Sequence, residues 1–236
     1  MNAMASDVWL RFHGLLFREP LFMSLLVSVV IALLALWFRR QMAPRGREPS
    51  TLVEAIYTLM HDAVAEVVPA RDVEGVLPFV GTLWLFILFS NLLGLIPGLS
   101  SPTRDLSVTS ALAVIVFFAV HFYGVRAAGW PAYLKHYLSP NPILLPFHLV
   151  SEITRTVALA VRLFGNMMSL QMAAALVLLV AGLLVPVPLL LLHVIEALVQ
   201  AYIFGMLALI YVGSALEVSH DRQAASGAPN TDPSRD

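Results

Sequence analysis

Four charged side chains and two histidines stand in a largely apolar stretch between Ile143 and Leu216: Glu152, Arg155, Arg162 and Glu196, with His148 and His193. Carboxylates and imidazoles can take up and release protons, whereas a guanidinium stays charged and can only attract anions or repel cations. At membrane depth an arginine costs somewhere between about 3 and 17 kcal/mol, so each of these groups needs protein partners, trapped water or a visiting counter-charge. On a helix, positions 148, 152, 155, 159, 162, 166 and 169 share a face, which places His148, Glu152, Arg155, Arg162, Asn166 and Ser169 on one polar stripe. Glu152 and Arg155 stand at i, i+3 and can neutralise each other, but Arg162 has no acid at i±3 or i±4. A partner for Arg162 must come from elsewhere: Glu196 of the same chain, or an acid on another molecule. Downstream, His193, Glu196, Gln200, Phe204 and Tyr211 fall on or near one face of a second helix. His193 and Glu196, one turn apart, could relay protons or form a satisfied polar cluster, and spacing alone leaves both open. Met167, Met168 and Met172 read as packing residues.

The elements that must carry these groups are membrane helices. The chain has 236 residues, 59% hydrophobic and only 12% charged, with a mean hydropathy of +0.82. That composition excludes a soluble globule and intrinsic disorder. With 14 basic and 15 acidic residues the net charge of -1 gives no field for nucleic acid. Zero cysteines exclude disulfides, thiolate metal sites and cysteine nucleophiles.

An all-α membrane protein of five to six helices is expected, as a single membrane domain over 1–218 followed by a polar, flexible tail over 219–236. The first crossing covers 21–38 and is followed by Arg39, Arg40, Arg45 and Arg47; it reads as a retained span rather than a cleaved signal, with the arginines cytoplasmic and the N-terminus outside. Residues 51–68 alternate apolar and acidic positions at helical spacing and predict an amphipathic helix on the membrane surface or against a partner. Two crossings at 76–99 and 107–126 form a hairpin around the outer loop that holds Arg104 and Asp105. Residues 130–146, rich in Pro, Tyr and His, suit an interfacial stretch. Two long helices at 142–182 and 188–217, separated by the break at Pro186 and Pro188, complete the domain as a second hairpin with a cytoplasmic C-terminus. Both exceed the length of a perpendicular crossing and must lean, kink or protrude.

Four blocks then carry a resemblance: LFILFSNLLGLIPG (85–98), SPTRDLSVTSALA (101–113), SEITRTVALAVRLFGNM (151–167) and ALVQAYIFGMLALIYVGSALE (197–217). In content, order and spacing they resemble subunit a of the F-type ATP synthase membrane sector. The resemblance implies a bacterial plasma-membrane stator subunit beside a rotating c-ring, held by b-type peripheral stalk subunits, with ions crossing through two half-channels. It implies no cofactor and no chemistry on ATP in this chain. Arg162 matches the family's essential arginine, facing a ring carboxylate as it passes. Asn166 and Gln200 match the polar partners near that arginine, and His193 falls where members place a His or Glu of the ion path. The chain departs from the pattern at Gln171, where many members carry an acid or histidine, and at His148, where members often have an acid; Glu196 is expected to take over the titrating role. The translocated ion is expected to be the proton, with sodium as the alternative, because the selecting site would lie on the ring.

Two readings from other classes are weaker. An intramembrane hydrolase would need HExxH, GxSxG or a cysteine, none of which is present, and His193 with Glu196 offers at most two metal ligands. A self-contained secondary transporter usually carries paired repeats, and the sequence contains none.

Overall fold

The computed structural model describes residues 8–12, 15–42, 51–96, 99–130, 145–181 and 186–227. A short antiparallel hairpin, β1 (Val8–Phe12) and β2 (Leu15–Arg18), precedes α1 (Glu19–Met42). Then follow α2 (Thr51–Val67), α3 (Val73–Leu93), a 3-10 turn (Pro102–Arg104), α4 (Leu106–Ala128), α5 (Leu145–Ala181) and α6 (Pro186–Gly227). Five segments are long and apolar enough to cross a membrane: Glu19–Leu36, Val73–Leu93, Leu106–Ala128, Pro146–Val177 and Pro188–Glu217. A lipid interior favours such helices, because each pairs its backbone amides within its own segment.

Several boundaries differ from those the sequence predicts. α3 stops at Leu93, where the chain tightens into 3-10-type bonds, with Leu95 N–H bonding the Leu92 carbonyl at 3.0 Å. α6 runs on through Gly227, so residues 219–227 are helical rather than part of a flexible tail. Gln223, Ala224 and Ala225 favour helix, and the first breakers are Gly227 and Pro229. Pro186 and Pro188 lie in the first turn of α6, where a missing N–H costs nothing. The sequence reading assigned no element before Leu21, yet the β-hairpin stands there. The interfacial stretch expected at 130–146 falls largely outside the described residues, as does the tail from 228.

α3 and α4 each pack on α6, and α4 also carries α5; α5 and α6 touch each other more lightly. The buried core joins Val76, Val80, Ile87, Leu112, Val116, Leu163, Phe204 and Leu209. Lipid is as apolar as these side chains, so close packing and interhelical hydrogen bonds hold the bundle rather than exclusion from water. Close approach is visible where α6 meets α3. A Cβ on Gly205 would lie 1.7 Å from Trp84 Nε1. The Trp84 indole stacks on Tyr202 at 6.4 Å and its N–H donates to the Tyr202 carbonyl at 3.4 Å. The second half of α2 packs on α3 and α6, with Val64 buried, whereas Ile56, Tyr57 and Leu59 remain exposed. This matches the amphipathic pattern, with one face committed to the bundle.

Candidate ion-path site

Arg162 sits in the middle of α5 on an exposed part of its surface. Among the described residues its side chain makes no salt bridge and no hydrogen bond; the intrachain pair with Glu196 is not formed. Its surroundings on the same surface are small: Ser151, Thr154, Ala158, Ser169 and Ala173 are exposed, and a Cβ added to Gly165 would meet nothing within 4 Å. Positions 151, 154, 158, 162, 165, 169 and 173 step by three or four, so the small residues form a shallow strip with the guanidinium inside it. Such strips let a neighbouring helix approach closely.

Along α5 the polar groups lie to either side of Arg162. Glu152, ten residues back and so about 15 Å along the axis, pairs with Arg155 at 3.7 Å. The Arg155 guanidinium also lies 4.3 Å over the Tyr211 ring of α6, a cation–π contact that ties this pair to the neighbouring helix. His148 is exposed near the start of α5. In the other direction Asn166 Nδ2 donates to Gln200 Oε1, joining the two stripes at one point. The stripes therefore meet at Asn166–Gln200 and Arg155–Tyr211 rather than along their whole length, because α4 takes much of the surface of both helices.

Beyond Asn166 lies a polar cluster that the sequence reading missed. Ser101 Oγ donates to the Ser90 carbonyl at 2.8 Å and stands 2.6 Å from Thr103 Oγ1, which donates to Asn91 Oδ1 at 2.7 Å. His193 Nε2 reaches the Asn91 carbonyl oxygen at 3.3 Å, a bond that requires the proton on Nε2. Ser90, Asn91, Ser101, Thr103 and His193 are all buried. Ser90 Oγ, Asn91 Nδ2 and Gln200 Nε2 nevertheless have no hydrogen-bond partner among the described residues. An unpaired buried polar group costs about 1–3 kcal/mol. Glu196 is half-buried one turn beyond His193 on α6. Gln171 lies about 14 Å from Arg162 along α5 and accepts from Arg104 Nη1 at 3.4 Å. A signal for the cluster was present: Ser90 and Asn91 are the only adjacent polar pair inside the apolar run 76–93.

Comparison with known proteins identifies the family of the chain. The family described as ATP synthase A chain matches residues 21–213. "ATP synthase subunit a 1" of Hahella chejuensis is 50% identical over 234 residues, covering 97% of this chain and 99% of its own length. "ATP synthase subunit a" of Legionella pneumophila (strain Corby) is 61% identical over 173 residues, 72% of this chain and 75% of its own. "ATP synthase subunit a 2" of Picosynechococcus sp. is 40% identical over 226 residues, 95% of this chain and 97% of its own. With five apolar helices, an arginine held at mid-helix and matches along nearly its whole length, this chain belongs to the ATP synthase subunit a family, the non-catalytic ion-channel stator subunit of the Fo membrane sector.

Proposed function

We propose that this chain passes protons through two half-channels that end at the ring-facing surface of α5, and that Arg162 keeps the two apart. The observation that carries this reading is Arg162 itself, exposed among small residues and without an acid of its own chain among the described residues. A ring helix seated on the strip would present its carboxylate to a guanidinium that cannot lose its proton. The ionised carboxylate is then favoured beside Arg162, so the proton leaves before the site passes and is regained on the far side. A lysine there could shed its charge when desolvated, and an arginine cannot.

The outer half-channel runs through Ser90, Asn91, Ser101, Thr103 and His193 to Asn166 and Gln200. The three unpaired buried polar atoms support this, because water reaching them would remove their desolvation cost. His193 and Glu196 are the titrating groups of that half, and Gln171 cannot be one. The inner half opens beside Glu152 and Arg155, with His148 toward its mouth. In this orientation the N-terminus lies outside a bacterial plasma membrane and the C-terminus is cytoplasmic, with b-type stalk subunits bracing the chain from the side.

Reconstitution tests this reading. The complete complex in sodium-free liposomes is expected to acidify the lumen on ATP addition, whereas the purified chain without its ring conducts no protons. Proton conduction by the chain alone would refute the two-half-channel scheme, and pumping that requires sodium would replace the proton as the cargo.

A further inference from the structure

The turn between α3 and α4 carries a second cation whose surroundings are defined. Pro102 and Thr103 are buried, and the bonds of Ser101 and Thr103 to α3 fix the turn, so Arg104 projects from a rigid base. Its guanidinium donates to the neutral Gln171 amide at 3.4 Å. The nearby acids are otherwise engaged. Asp105 accepts from Ser107 N at 2.8 Å and Ser107 Oγ at 2.6 Å as the cap of α4. Glu19 of α1 accepts from Ser100 Oγ. No salt bridge joins Arg104 to either. Among the described residues the other ionisable groups on this side are His193 and Glu196 of α6 and, before α1, Arg11 and Arg18 of the β-hairpin.

Resting on the outer half-channel proposed above, we propose that Arg104 is a positioned positive charge that lowers the proton affinity of that half-channel, and that the neutrality of Gln171 leaves this charge uncancelled. A carboxylate at 171 would pair with Arg104 and erase its field. The amide instead holds the guanidinium in place through a hydrogen bond without neutralising it. One unit charge at about 10 Å, in an effective dielectric between those of protein surface and water, changes proton affinity about three- to fivefold. Weaker binding favours release of protons from the path, and so turnover when the outer proton concentration is high.

The test is ATP synthesis by the reconstituted complex, read as a function of outer-side pH. Arg104→Gln keeps a donor for Gln171 but loses the charge, so its half-maximal point should move about 0.5–0.7 pH units alkaline. Arg104→Lys, which keeps the charge, should stay near the parent. Gln171→Glu leaves Arg104 in place yet cancels it, and should shift the curve in the same direction as Arg104→Gln. The double variant should shift further than either. Superimposable curves for Arg104→Gln and the parent, or a lysine variant that behaves like the glutamine one, would overturn the charge role. A shift in the opposite direction for Gln171→Glu would overturn it equally. In each of these cases loss of pumping in Arg162→Ala still separates failure of this inference from failure of the half-channel reading.

Discussion

Replacing Arg162 by alanine is expected to reduce coupled ATP synthesis and ATP-driven proton pumping to less than about a hundredth of the parent, with the complex still assembled. The side chain is exposed and contributes no ion pair or hydrogen bond within the described residues, so its removal opens no cavity and leaves no partner stranded. What is lost is the fixed charge. Without it a ring carboxylate can pass in its protonated form, and rotation no longer requires the ion to leave. The measurement is acidification and synthesis in inverted vesicles, alongside the amount of this chain that co-purifies with the complex. Normal coupled pumping would refute the assignment. Loss of the chain from the complex would assign Arg162 to packing instead.

Glu196→Gln carries the second large effect, a fall in proton flux of about tenfold or more. Glu196 is the only carboxylate between Pro188 and Leu216, and position 171, the other candidate on that side of Arg162, holds an amide. Glutamine has the same shape and can still hydrogen-bond, but it cannot exchange a proton, and a positioned acid–base group is worth about 10²–10⁴ in rate. Passive proton flux through the membrane sector, with the ATP-hydrolysing part removed, isolates this step from synthesis. Unchanged flux would reduce Glu196 to a packing neighbour of His193.

The crossings were legible because lipid permits few solutions: long uncharged runs such as 76–93 must be helices, and their ends are punctuated by arginine, proline and glycine. Arg162 was legible for the opposite reason, as a permanent charge without an acid one turn away. The Glu152–Arg155 pair followed from its i, i+3 spacing, and the structure forms it at 3.7 Å. Of the outer cluster only the adjacent pair Ser90–Asn91 was legible; its partners were not. Thr103 meets Asn91 across a turn, His193 meets it from 102 residues away, and Arg104 finds Gln171 from 67 residues away. Spacing along one helix carries no information about such meetings, which depend on how α3, α4, α5 and α6 converge. For the same reason the points where the two stripes meet, Asn166–Gln200 and Arg155–Tyr211, could not be read from either helix alone, since α4 packs on both. The helical extension to Gly227 was hidden by composition: its polar residues resemble a tail, although few of them oppose helix.

The central claim, that the Arg162 surface faces the ring, is tested most directly by disulfide cross-linking, for which the chain is suited because it contains no cysteine. Ala158→Cys and Ser169→Cys lie on the exposed strip on either side of Arg162 and leave the arginine in place. Paired with a cysteine next to the ring carboxylate, each is expected to cross-link in the assembled complex under mild oxidation and to stop ATP-driven rotation until reduced. Phe118→Cys, on the exposed outer face of α4, is expected not to react with the ring. Cross-linking from position 118 with none from 158 or 169 would place the rotor on another face and contradict the account.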